Sequence, residues 1–190
     1  MLYLQLISFA NVLIIAGNLL ATLPFTLEKV GEIVVSSVFG TVAVIAVDGI
    51  TAFLIRRLPQ RYFSAEHCLP KIPKWEKTFY RKIKIKAWKD KVPELGGFTG
   101  FHKDKVQSYT DREYLARFIL ESNYGIVIHI VNGLCGFVIL WFPICGNFSV
   151  GLPVAMVNLL LSLMPAAILR YHLPALTHLY RKSQKEKAVI

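Results

Sequence analysis

Residues 33–55 read IVVSSVFGTVAVIAVDGITAFLI. The run is too long for a strand of a soluble sheet, and Asp48 is its only charged residue. A helix needs roughly 20 apolar residues to cross about 30 Å of hydrocarbon. Three more stretches meet that requirement: residues 2–25, 118–142 and 150–169. Backbone groups find no water in lipid, so segments of this kind must satisfy their own hydrogen bonds as helices. The pattern predicts an all-α membrane protein with four transmembrane helices. It is read as one integral membrane domain over residues 1–190. The first run lacks the basic flank of a secretory signal and exceeds its usual length, which predicts a retained span.

Charge and apolarity are segregated. The chain is 54% hydrophobic yet carries a formal net charge of +10. Of its 22 Lys and Arg, 16 fall between Arg56 and Arg117 and 5 lie in the tail from Arg170. The 1–2 connection holds only Lys29, and the 3–4 connection holds none. The positive-inside bias therefore predicts cytoplasmic N- and C-termini. A long basic cytoplasmic segment, residues 56–117, separates helices 2 and 3. The expected location is the cell membrane, multi-pass, with most of the extramembrane mass in the cytoplasm.

Within that segment, WEKTFYRKIKIKAWKDK interleaves aromatics with Lys. Phe79, Ile83 and Trp88 suit the headgroup region, while Lys82, Lys84, Lys86, Lys89 and Lys91 suit phosphates. The preferred partner is a lipid surface, with a negatively charged acyl donor such as a CoA thioester second. Nucleic acid is not expected, since both ends of the segment are tethered to the membrane. Cys68, Cys135 and Cys145 form no disulfide framework. His67, Cys68 and His102 lack paired ligand spacing, so no metal site is expected.

Ionisable groups inside spans are costly and are functional candidates. On the third span Glu121, Gly125, His129, Asn132, Gly133 and Gly136 recur at three- and four-residue steps, forming one polar and small-residue stripe. Such a stripe faces protein. At 1.5 Å per residue, His129 lies roughly 18 Å from Arg117, Asp48 roughly 12 Å from Arg56, and Asn158 roughly 18 Å from Arg170. A His at that depth, supported by Asp48 or Glu121, is a candidate general base for acyl transfer to a hydroxyl. Packing alone remains open for His129. Arg170 is either a bidentate anion ligand or an interfacial anchor, and Pro165 is expected to bend the fourth span.

The pieces RLPQRYF (57–63), FYRKIKIKAWKDKVPELGGF, YLARFILESNYGIVIH and RYHLPALTHL resemble, in order and spacing, the glycosyl-4,4'-diaponeurosporenoate acyltransferases, small bacterial membrane proteins. The matching motifs are Trp88-Lys89-Asp90 with Val92 and Pro93, then Glu121, Ser122, Gly125 and His129, then Arg170, Tyr171 and Pro174. The resemblance implies transfer of a fatty acyl group onto a hydroxyl of a lipid or glycolipid acceptor in carotenoid biosynthesis. His129 would then be the base, with Glu121 and Asp48 as further catalytic candidates. Trp88, Lys89, Asp90, Arg81, Ser122, Asn158, Arg170 and Tyr171 would bind substrate. No cofactor is implied, the acyl donor being a co-substrate. The chain departs from the family pattern at Ile126, where the pattern has Glu, and at His172, Leu173 and Ala175, where it has Asn and two arginines. A non-catalytic membrane accessory or lipid-binding protein, or another head-group-modifying enzyme on the same frame, is the alternative.

Overall fold

The computed structural model describes residues 2–24, 26–65, 72–92, 111–145 and 148–187. The described residues are mainly helical, and none lies in a strand. The helices are α1 (Leu2–Ala21), α2 (Leu27–Arg56), α3 (Lys74–Lys82), α4 (Ile85–Trp88), α5 (Arg112–Cys135) and α6 (Phe148–Lys187). Among the described residues, α1, α2, α5 with the 3₁₀ turn that continues it, and α6 are long and apolar enough to cross a membrane.

Helix ends follow from local chemistry. Thr26 Oγ1 accepts the Lys29 N–H at 3.3 Å at the start of α2, and Glu28 complements the dipole in its first turn. Asp111 Oδ1 accepts the N–H groups of Glu113 and Tyr114, at 2.9 and 3.2 Å, and so begins α5. α5 tightens into 3₁₀ geometry over Gly136–Trp141, so the third span ends as an α-helix at Cys135, earlier than expected. α6 runs through Pro165 and Pro174 for 40 residues, well past the expected end near residue 169.

The chain divides into two compact units. The first comprises Met1–Leu54 and Ile130–Leu163. Its core holds Val44, Ile139, Cys145, Val154 and Ala155. α6 comes close here because Gly133 of α5 and Gly136, which opens the following 3₁₀ turn, stand at contact positions. A Cβ on Gly133 would stand 3.0 Å from Leu159 Cδ1, and one on Gly136 would stand 2.5 Å from Asn158 Nδ2. Outward, α1 and α2 present Phe9, Val12, Leu20, Val35 and Val42. An apolar exterior of this extent suits lipid.

The second unit comprises Ile55–His129 and Met164–Ile190. Leu115, Phe118, Ile119, Ile126, Leu173, Leu176 and Tyr180 form its core. From Ser122 to Ile126 every residue of α5 is buried, so this part of the helix is enclosed on all sides rather than along one stripe. α3 turns Glu76 and Tyr80 inward, while Trp75 and Phe79 point out. Lys84, at φ 49°, breaks the helix in the left-handed region and separates α3 from α4. Trp88 is only half-exposed. Its indole N–H donates to the Ile83 carbonyl at 2.9 Å, so Trp88 does not share the outward face of Phe79.

Candidate functional site

In the second unit, α3 meets α6. Arg170 Nε donates to Glu76 Oε1 at 2.6 Å and Nη2 to Oε2 at 3.0 Å, a fork on a carboxylate that is only 7% exposed. Tyr80 O–H donates to the same Oε1 at 2.5 Å. Burial, the hydrogen bond to Glu76 and the Glu76 charge push the Tyr80 phenol well above its ordinary value, against the smaller opposing pull of Arg170. Tyr80 therefore stays a donor. Its ring packs edge-on against Tyr171, with centroids 5.8 Å apart, and Tyr171 against His172 at 5.2 Å. His172 feels the charges of Lys89 and Asp90. Lys89 Nζ lies 2.6 Å from Asp90 Oδ1. The Arg-Tyr motif of α6 thus meets α3, the helix that precedes the Trp-Lys-Asp motif, through Glu76 and Tyr80. The bidentate carboxylate anticipated for Arg170 is a side chain of this protein, Glu76. Arg81, on exposed α3, reaches Thr78 Oγ1 at 3.4 Å.

A second group lies where α2 ends beside α5. Arg56 Nη2 is 3.1 Å from Glu121 Oε2, and its guanidinium stands 5.8 Å from the Tyr124 ring centroid. Tyr124 stacks on Phe63 at 4.0 Å and donates to the Leu58 carbonyl at 2.8 Å. Asn123 Nδ2 donates to the Phe63 carbonyl at 2.8 Å. Ser122 is buried, and its hydroxyl has no hydrogen-bond partner among the described residues. Glu121 stands eight residues from half-exposed His129 on α5. That is about 12 Å along the axis, beyond direct hydrogen-bond reach. Arg56 pairs with the Glu121 carboxylate.

The first unit contains the intramembrane network. Asn158 Nδ2 reaches Asp48 Oδ1 at 3.4 Å and donates to the Asn132 carbonyl at 3.1 Å. Thr51 Oγ1 bonds Asn132 Oδ1 and lies 3.0 Å from the Val47 carbonyl. Of the three side chains placed at comparable depth in the sequence, Asp48, His129 and Asn158, the first and last lie 3.4 Å apart. Asn132 of the α5 stripe completes the set. Beside it, a small cleft of about 30 Å³ is lined by Tyr3, Asn11, Thr41 and Asn158 among apolar side chains.

A family model described as glycosyl-4,4'-diaponeurosporenoate acyltransferase matches residues 59–182. The chain belongs to that acyltransferase family. The matched stretch contains all three motifs, from Trp88 through His129 to Arg170 and Tyr171. Comparison with curated proteins and with solved structures gave no match.

Against the family pattern, Ile126 and Leu173 stand where Glu and Arg are expected, and both lie in the same apolar core. Two of the departures thus converge at one place. Sequence reasoning missed Glu76. The available signal was its i,i+4 spacing to Tyr80 within an otherwise basic helix. His67, Cys68, Pro93 and His102 lie outside the described residues. Among the described residues no group of three or more His, Cys, Asp or Glu is placed to hold a metal.

Proposed function

We propose that this protein transfers a fatty acyl group onto a hydroxyl of a lipid or glycolipid acceptor, a carotenoid glycoside in kind, at the cytoplasmic side of the cell membrane. Both termini and the basic segment would face the cytoplasm. The observation that carries the reading is family membership over residues 59–182, because that stretch includes every motif residue singled out for chemistry. His129 takes the acceptor proton as the hydroxyl oxygen attacks the acyl carbonyl. The new C–O ester bond forms, the bond to the donor's leaving group breaks, and the proton passes to that leaving group. The Glu76–Tyr80–Arg170 clamp holds α3 to α6. It thereby positions Lys89, Asp90, Tyr171 and His172 around the substrate. Arg56 orients Glu121 on the same helix as His129.

The test compares lipid extracts of cells expressing the full chain, the His129→Gln variant, or neither. Mass spectrometry should find an O-acylated glycolipid with the wild type that falls by at least ~100-fold with the variant, the scale of general-base loss. Absence of any new acylated lipid, or equal product from variant and wild type, rejects the reading.

A further inference from the structure

The second unit has a cleft of about 400 Å³ lined by Gln60, Arg61 and Ser64, by Ala116, Arg117 and Leu120 of α5, and by Tyr180 of α6. Its volume lies in the range of small-ligand pockets. Two guanidinium-bearing residues, 56 positions apart in sequence, converge on it from different segments. A third, Arg112, stands 5.8 Å from the centroid of the Tyr180 ring. Among the described residues that line the cleft, none is acidic. One wall carries Gln60, Ser64 and Ala65, and Arg61 there donates to the Tyr62 hydroxyl at 2.9 Å. The other, with Ala116, Leu120 and the largely buried Tyr180, is apolar or aromatic. Arg61 follows closely on α2, and Arg117 opens the apolar run of α5, so the cleft sits at an expected membrane boundary.

Paired arginines in a concavity suit phosphate oxygens, because planar guanidiniums donate two parallel hydrogen bonds to them. An apolar wall suits an attached hydrophobic or aromatic body. Arg170 is engaged by Glu76, and the cleft brings the guanidinium-bearing Arg61 and Arg117 to one concavity. We propose that the cleft lined by Arg61, Arg117 and Tyr180 binds a phosphate group carried by an amphiphilic or nucleotide ligand. The binding does not depend on which reaction the protein performs.

Two probes separate the sources of such a phosphate. Purified full-length protein in neutral detergent is titrated with coenzyme A lacking an acyl chain. In parallel, native mass spectrometry follows retained lipid from nanodiscs with or without phosphatidylglycerol. Each is repeated with Arg61→Gln, Arg117→Gln, the double variant, Arg61→Lys and, as a charge control, Lys77→Gln on exposed α3. Both arginines are exposed, so the variants should melt as the wild type does. Each Gln substitution should weaken the responsive probe about tenfold, the double variant about 100-fold, and Arg61→Lys less than Arg61→Gln. Binding of coenzyme A identifies a soluble phosphate ligand, and retention of phosphatidylglycerol identifies a lipid headgroup. The proposal fails if neither probe binds, if the double variant matches wild type, or if Lys77→Gln weakens binding as much as Arg61→Gln.

Discussion

Substituting Glu76 should unfasten α3 from α6, and the structure sets the size of the effect. Arg170 makes two charge-assisted hydrogen bonds to a carboxylate that is 7% exposed, and its own side chain is 19% exposed. Removing one member of such a pair leaves a mostly desolvated charge, which costs about 3–5 kcal/mol. Glu76→Met and Arg170→Met should each fall in this range. Arg170→Met should be the more severe, because it strands the more buried partner. For a chain of this size 1 kcal/mol corresponds to about 2–4 °C in Tm, so each single variant should melt about 6–20 °C below wild type. The double variant replaces the pair with apolar groups of similar length and leaves no orphaned charge. Its loss should be about 1–2 kcal/mol, mainly from the Tyr80 hydroxyl left without its acceptor. Adding Tyr80→Phe should restore part of that loss. Thermal unfolding in detergent micelles, followed by tryptophan fluorescence, reads the whole cycle. Single variants within about 1 kcal/mol of wild type, or effects additive to within about 0.5 kcal/mol, would refute the clamp.

Two further outcomes follow from packing. Gly136→Ala places a methyl where Asn158 Nδ2 sits and should displace that amide from Asp48 and the Asn132 carbonyl, at a cost of about 1–3 kcal/mol in the same assay, while exposed Gly17→Ala should cost nothing measurable. Ile126→Glu buries a carboxyl at a position 1% exposed and should cost about 3–5 kcal/mol, with Leu173→Arg added to it recovering part of the loss. Failure of that rescue, seen as unchanged yield of folded protein, would separate Ile126 and Leu173 as independent departures from the family pattern.

The four spans were legible because hydrocarbon thickness and backbone satisfaction act on length and apolarity, which a single run of sequence displays. Their ends were less so. Residues 111–117 are polar and charged, yet Asp111 caps them into α5 ahead of the apolar run, and α6 continues past residue 169 into a polar tail. The comparable depth of Asp48 and Asn158 was legible because depth in a helix scales with residue number, whereas their contact was not. Glycines 133 and 136 were anticipated as close-approach positions because small residues at helical spacing suit one purpose in lipid.

Sequence alone therefore determined the helical frame, the polar stripe of α5 and the motif residues of the acyltransferase family. Tertiary structure alone decided where the charges went. Glu76 looked like one acid in a basic surface segment, and Arg170 like an interfacial anchor or a ligand for an outside anion. Their pairing spans 94 residues, and no local period encodes it. The same holds for Arg61 and Arg117, each unremarkable among 22 basic residues until folding sets them on one cleft. Helix formation is governed by neighbours three and four residues away. The partner of a desolvated charge is set by which helix faces close together.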